Sequence, residues 1–333
     1  MHKIWEKDRL YSILRPYVDV CTKYSYNKAH VRGTLPSEGA VIIAANHTST
    51  LMDALVILRT RRKPTVFGAR ADIFAKPAVA RILRFLRILP LARLRDGARS
   101  VLQNLETFAE IDDVLEHGVP FCLFPEGRHR PIHSLLPIGK GVARIAFTSA
   151  GKRQTYVVPT GIEQGSYFRY RYPSTVTYGE PIDVNAFLKA HEGQSEAEIF
   201  QAFRDELFQR ISALITYLPD DGNYEAAWQA VKPAHKPQKA LAVLTAPLFL
   251  LAALLCLPMW ITAETLCRRA KDHAWNNTIR YGVKLILTPL MLLFWLLVMP
   301  GWWKLLVGVL FLFCYSFFYD WLNLVPSPGI GEE

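Results

Sequence analysis

The 333-residue sequence has few cysteines and lacks the short motifs of several large enzyme classes. Its five cysteines form no C-x-x-C pair, which argues against a disulfide framework and for reduced thiols in a protein that faces the cytoplasm. The sequence also has no G-x-S-x-G, no G-x-x-x-x-G-K-[ST] and no H-E-x-x-H. These absences remove most of the support for a serine hydrolase, a P-loop enzyme or a zinc protease.

Acidic residues are scarce relative to basic ones. The chain has 39 Lys and Arg against 29 Asp and Glu, a formal net charge of +10, which indicates a partner that is nucleic acid, an anionic membrane or a phosphorylated small substrate. Residues 54–100 alone have 12 basic residues and two acids. There, Arg81, Arg84 and Arg87 recur at helical spacing between aliphatic residues, and aromatic residues that would stack on bases are few. The pattern favours a helix on an anionic lipid surface, and we expect no nucleic-acid partner.

Long uncharged segments occur only in the C-terminal third of the chain. Residues 240–263, 285–303 and 305–319 contain no charged side chain, and these lengths predict two or three helices that cross a bilayer. A re-entrant hairpin is the alternative for the first segment, because Pro247 and Pro258 would let the chain enter the bilayer and turn back. Basic residues on both sides of that segment predict that both flanks, and the domain before them, lie on the cytoplasmic face.

The remaining chain predicts an α/β protein with a mixed central sheet flanked by helices, followed by an α-helical transmembrane region. Residues 1–22 predict an amphipathic helix that packs on the protein or lies on the membrane surface. We predict a main domain at 23–220, a linker at 221–239 and a membrane domain of two or three helices at 240–333. Apolar and helical periodicities predict strands near 39–46, 64–70, 119–125, 155–162 and 174–182, and helices near 51–60, 72–88, 98–117, 139–150 and 195–217.

The segment "NHTSTLMDA" places His47 and Asp53 where a predicted strand ends and a helix begins. Five residues separate the two, so they lie on different faces of a continuous helix. A pair therefore requires His47 to lie on the turn before the helix. The alternative is an ordinary capping or core polar contact.

The segment "VPFCLFPEGRHRP" ends a second apolar strand with a cluster of charged residues and a glycine. Glycine permits close backbone approach, and guanidinium groups supply paired donors suited to a phosphate. The alternative is a solvated loop. We expect no metal site, because Pro131 lies between the histidines of this segment, His129 and His133. The candidate binding residues are Glu126, Gly127, Arg128 and Arg130.

Two further segments, "RILPLARLRDG" with Arg93 and "VVPTGIE" with Pro159, complete a series of four. In this order, over about residues 30–185, the four segments resemble the glycerolipid acyltransferase family. Its members esterify glycerol 3-phosphate, 1-acylglycerol 3-phosphate and related lysolipids. The most specific matches are Asn46-His47 with Asp53, and the F-P-E-G run that ends at Gly127.

The resemblance implies that His47 is the general base and that Asp53 orients its imidazole. It also implies that Arg93 and the F-P-E-G segment hold the acceptor phosphate. Glu126 would bind glycerol oxygens or order its loop, and Pro159 would lie near the path of the acyl chain and acceptor. The family's usual threonine and arginine after F-P-E-G are replaced here, so phosphate binding would rest on Arg128 or Arg130.

The expected reaction transfers a fatty acyl group from acyl-CoA or acyl-carrier protein to 1-acyl-sn-glycerol 3-phosphate and makes phosphatidic acid. Glycerol 3-phosphate is the alternative acceptor, because the five-residue spacing resembles the fungal-type enzymes. An inactive membrane-binding scaffold is the alternative from another class. We expect no cofactor, membrane lipids as partners, and a location in the bacterial inner membrane. Backbone N–H groups after His47 are the expected donors to the thioester oxyanion.

Overall fold

A computed structural model describes residues 3–26, 29–61, 63–92, 98–165, 172–232 and 238–309. Its strands are β1 (Ala29–Arg32), β2 (Ala40–Ala45), β3 (Val66–Arg70), β4 (Ile88–Leu91), β5 (Phe121–Leu123), β6 (Thr155–Gln164), β7 (Ser174–Tyr178) and β8 (Ile182–Asp183). They form one sheet in the order β1-β7-β6-β2-β5-β3-β4, with β8 beside β6. β6 is antiparallel to β7 and β8, and the other neighbours are parallel. The predicted mixed central sheet is confirmed.

The helices cover both faces of this sheet. In chain order they are α1 (Arg9–Ser25), α2 (Thr50–Arg59), α3 (Pro77–Phe85), α4 (Ala98–Glu116), α5 (Lys140–Ala150), α6 (Val184–Ala190), α7 (Glu196–Ser212), α8 (Tyr224–Val231), α9 (Lys239–Leu255), α10 (Leu257–Arg269) and α11 (Asn276–Val298). Short 3-10 turns occur at Ala71–Phe74 and His273–Trp275. The α/β fold class predicted from the sequence is therefore observed.

The central strand β2 is buried on both faces and separates two apolar cores. Its even-numbered residues pack with α4, α5, α6 and α7, and its odd-numbered residues pack with α1, α2 and α11. Both faces are covered, so the strand is apolar throughout. At its carboxyl end, Asn46 donates to the Ile162 carbonyl at 3.0 Å and accepts from the Ile162 N–H at 2.7 Å. These two bonds fix the point at which the chain leaves the sheet.

The helix predicted at 72–88 is observed only as α3, and the prediction is wrong at both ends. The chain forms a 3-10 turn, then α3, and then enters β4, which pairs with β3. Arg87 lies between α3 and β4 with φ +63, and its buried guanidinium donates to the backbone carbonyls of Trp5 and Glu6. Arg87 therefore does not belong to an exposed basic helix face. The prediction extended the helix too far because β4, a short edge strand that contains Pro90, resembles a continuation of it in sequence.

Several element boundaries also differ from the sequence-based ones. The N-terminal helix begins later, at Arg9, where Asp8 caps it by accepting from the Tyr11 N–H, and it continues to Ser25. The predicted linker contains α8. Among the described residues, α11 is long and apolar enough to cross a bilayer, while α9 and α10 qualify only together, as one span bent by 78°. The third predicted apolar segment lies mostly outside the described residues.

Candidate active site

His47 and Asp53 form a hydrogen-bonded pair at the carboxyl edge of the sheet. His47 lies on the turn between β2 and α2, and its Nδ1 is 2.8 Å from Oδ2 of Asp53. The Asp53 side chain is fully buried, whereas that of His47 is 16% exposed. An ionised carboxylate only accepts, so Nδ1 carries the hydrogen and a neutral imidazole has its lone pair on Nε2. The geometry thus prepares Nε2 to act as a base.

Asp53 also organises the turn on which His47 lies. Its Oδ2 accepts from the backbone N–H groups of Thr48 and Ser49 at 2.8 and 2.7 Å. Its Oδ1 accepts from Nε2 of Gln164 at 2.6 Å, and the Gln164 carbonyl oxygen accepts from the Tyr26 hydroxyl at 3.2 Å. Neutral donors from the turn and from β6 therefore stabilise the buried carboxylate together with the imidazole.

The expectation about oxyanion donors is wrong for the first residues of this turn. The N–H groups of Thr48 and Ser49 are directed at Asp53, and that of His47 donates to Oε1 of Glu126 at 2.6 Å. A backbone N–H has one hydrogen, so these three groups are already occupied. The turn uses them to hold carboxylates in place.

Glu126 joins the two loops of the site. Its Oε1 accepts from His47, and its Oε2 accepts from the Leu136 N–H at 2.9 Å, while the Arg130 N–H donates to the His47 carbonyl at 3.1 Å. Burial raises the pKa of Glu126 to about 7, and the two backbone donors act in the opposite direction. Both carboxylate oxygens accept hydrogen bonds from backbone N–H groups. The resemblance implied that Glu126 either binds glycerol oxygens or orders its loop, and this arrangement corresponds to the second role.

The two arginines after the F-P-E-G turn differ in their exposure to solvent. Gly127 has φ +69, a left-handed conformation that favours glycine, and its N–H donates to the Phe124 carbonyl at 3.0 Å. Arg128, which follows it, is exposed. Arg130 is partly buried, and its Nη1 lies 2.5 Å from Oδ2 of Asp220. Arg128 is therefore the more accessible cation of the two candidates.

A series of rings surrounds the imidazole of His47. Phe124 stacks on it at 4.1 Å between centroids, and His129 meets it edge to face at 5.6 Å. His129 in turn contacts the Trp275 ring at 5.9 Å, and its Nε2 lies 2.9 Å from Oδ2 of Asp272. Asp272 and Trp275 belong to the connection between α10 and α11, so a segment far away in sequence reaches the site.

The other two sequence candidates have different outcomes. Arg93 lies outside the described residues. Pro159 is buried within β6, where it pairs in register with Ala44 and its carbonyl accepts from the Gly179 N–H at 2.8 Å. It belongs to the sheet beneath the site. Sequence reasoning did not identify Gln164 or Asp272, because each lies more than 100 residues from the group it contacts and no local motif marks it.

Two known proteins show partial likeness to this chain. An 87-residue segment is 36% identical to glycerol-3-phosphate O-acyltransferase 2 of Saccharomyces cerevisiae, and it covers 25% of this chain but only 12% of that protein. The solved 1-acyl-sn-glycerophosphate (LPA) acyltransferase PlsC of Thermotoga maritima aligns with a TM-score of 0.44 and 23% identity, over 62% of this chain and 83% of that one. At that TM-score the structural likeness supports no conclusion about this chain.

The decisive comparison is with a protein family. Residues 28–163 match the family described as Acyltransferase. The match begins one residue before β1 and ends in β6, so it includes His47, Asp53 and the F-P-E-G turn. Over this segment the match agrees with the acyltransferase family predicted from the sequence.

Proposed function

We propose that this chain transfers a fatty acyl group from an acyl thioester, acyl-CoA or acyl-carrier protein, to the hydroxyl of 1-acyl-sn-glycerol 3-phosphate. The observation that carries the proposal is the 2.8 Å contact between His47 Nδ1 and a buried Asp53, at the edge of a sheet in a chain of this family. The product would be phosphatidic acid for phospholipid synthesis.

The reaction follows from the protonation of the two partners. His47 Nε2 takes the hydroxyl proton of the acceptor as its oxygen bonds to the thioester carbon, because an alcohol is a weak nucleophile while it keeps that proton. The buried charge of Asp53 stabilises the imidazolium that forms. When the tetrahedral intermediate collapses, the carbon–sulfur bond breaks and the imidazolium returns a proton to the leaving thiolate. No covalent acyl-enzyme is required.

Charge and exposure support a phosphorylated acceptor. The chain has a net charge of +10, and Arg128 is exposed on the turn next to the site. We assign the phosphate to Arg128, and by family resemblance to Arg93. Arg130 has a weaker claim because Asp220 already accepts from it. No metal or organic cofactor takes part in this proposed reaction.

Apolar helices support a reaction at a membrane. α11 has 23 residues, and its most apolar stretch of 18 residues is only 11% buried in the protein. α1 also exposes apolar residues, among them Leu10, Ile13 and Leu14. We propose that the C-terminal helices anchor the chain in the bacterial inner membrane with the sheet domain at the cytoplasmic face, where an acyl chain and a charged acceptor meet.

Glycerol 3-phosphate is the second candidate acceptor. The name of the yeast relative and the five-residue spacing between His47 and Asp53 favour it. A membrane-binding scaffold without activity is a weaker alternative, because a scaffold does not need the buried hydrogen bonds around Asp53.

The test is thiol release by the purified full chain. Palmitoyl-CoA is supplied with either 1-acyl-glycerol 3-phosphate or glycerol 3-phosphate, and the lipid product is identified by mass spectrometry. His47→Ala should abolish turnover with its melting temperature retained, whereas His30→Ala, which removes an exposed imidazole on β1, should leave it unchanged. Equal rates in wild type and His47→Ala would refute the general-base assignment. Turnover with glycerol 3-phosphate alone would refute the proposed acceptor.

A further inference from the structure

The connection between α10 and α11, residues 270–275, contacts the loop after β5, which contains the F-P-E-G turn and His129, through a side-chain pair. Oδ2 of Asp272 lies 2.9 Å from Nε2 of His129, and the Trp275 ring packs against the same imidazole. Because an ionised carboxylate only accepts, His129 donates this hydrogen bond through Nε2. The C-terminal helices thus hold the His129 ring, whose centroid lies 5.6 Å from that of the His47 ring.

The same connection and the first turn of α11 also contact Thr50, the first residue of α2. The Thr50 hydroxyl hydrogen-bonds with the Thr278 hydroxyl and lies 3.5 Å from the Ala274 carbonyl. Thr50 has φ +42, a left-handed conformation that is strained for a β-branched residue and persists only where surrounding contacts hold it. Because Thr50 begins α2, the helix that contains Asp53, these contacts support the geometry of the catalytic pair.

Asp272 is itself oriented by its own turn. Its Oδ1 accepts from the Ala274 N–H at 2.9 Å, and its carbonyl accepts from the Trp275 N–H at 3.1 Å. One carboxylate oxygen therefore holds the connection, and the other is directed at His129. Exposed basic residues precede this turn: Arg268, Arg269 and Lys271. They add positive charge to the segment that leads into this turn.

We propose that the α10–α11 connection forms a wall of the acceptor site and that Asp272 is a positioning residue that acts through His129. The inference rests on the proposed function and adds to it. It assigns part of the site to residues outside the segment that matches the family, and it makes the docked C-terminal helices a requirement for productive acceptor binding.

Activity in a double-mutant cycle tests the route through His129. Asp272→Ala should lower kcat/KM for the acceptor by about ten-fold, the size expected for one lost charge-assisted hydrogen bond. The same change in a His129→Ala background should have almost no further effect. Glu264→Gln is the matched control, because it breaks an ion pair between the same two helices, with Arg280, and should leave the rate unchanged.

A readout without turnover separates this inference from the proposed function. Diethyl pyrocarbonate modifies neutral, accessible imidazoles, and mass spectrometry of peptides gives the rate at each histidine. His129 should react several-fold faster in Asp272→Ala than in wild type or in Glu264→Gln. Asp272→Asn serves if the alanine variant does not fold, because its side-chain oxygen keeps the bond to Ala274.

The outcomes are distinct. If wild type turns over no acceptor while His129 modification responds to Asp272, the proposed function fails and the contact stands. Wild-type kinetics and wild-type His129 reactivity in Asp272→Ala would overturn the inference. A rate loss that remains undiminished without His129 would also overturn it, because Asp272 would then act by another route.

Discussion

Replacing Glu126 by glutamine should change how the stability of the protein depends on pH. Burial raises the pKa of this carboxyl from about 4.5 to about 7, so the folded chain binds a proton more tightly than the unfolded chain does. The contribution that Glu126 protonation makes to the stability of the folded chain is complete below about pH 4.5 and is lost as the pH rises through about 7. A shift of this size corresponds to about 3 kcal/mol of unfolding free energy.

The hydrogen bonds of Glu126 set the sign of the difference at low pH. Glutamine has one acceptor oxygen for the two backbone donors, His47 and Leu136, and an unsatisfied buried N–H costs about 1–3 kcal/mol. Glu126→Gln should therefore be less stable than wild type at pH 5. Because wild type loses most of its roughly 3 kcal/mol by pH 8 and glutamine does not titrate, the two should become nearly equal there.

Denaturant unfolding of the full chain in detergent at pH 5 and pH 8 measures both differences. Glu225→Gln, at an exposed position on α8, is the matched control, and its difference from wild type should be the same at both pH values. If the Glu126→Gln difference is also independent of pH, the backbone donors outweigh burial and the pKa of this carboxyl is not raised.

Four further substitutions test the assigned roles. Asp53→Asn should lower kcat by about 10²–10⁴ with the fold retained, because the amide no longer stabilises protonated His47; a rate in initial thiol-release assays within about three-fold of wild type would contradict that role. Gln164→Leu should destabilise the chain by about 1–3 kcal/mol in urea unfolding, because a buried carboxylate oxygen loses its donor, and an unchanged midpoint would argue against that bond. Arg128→Gln should raise the acceptor KM about ten-fold and Arg130→Gln much less, whereas the reverse order in steady-state kinetics would move the phosphate to Arg130.

Local sequence pattern predicted most strands of the sheet and the site residues His47, Asp53 and Glu126. Each of the five predicted strands is observed, because short β-rich runs carry a local signal for this structure. The order of the motifs also led to the family whose description matches residues 28–163. The failures at β1 and β4 have one cause: a four-residue edge strand gains its stability from a partner strand, and its own residues carry almost no signal.

The sequence by itself determined the fold class, the likeness of residues 28–163 to the acyltransferases and the positions of His47, Asp53 and Glu126, because spacing along the chain and the identity of the side chains suffice for these. Only the tertiary structure decided what surrounds them. Gln164 reaches Asp53 because β6 lies beside β2, and Asp272 reaches His129 because two C-terminal helices fold back over the edge of the sheet. Such contacts depend on chain packing, which brings together residues more than 100 positions apart and leaves no periodic trace in the sequence.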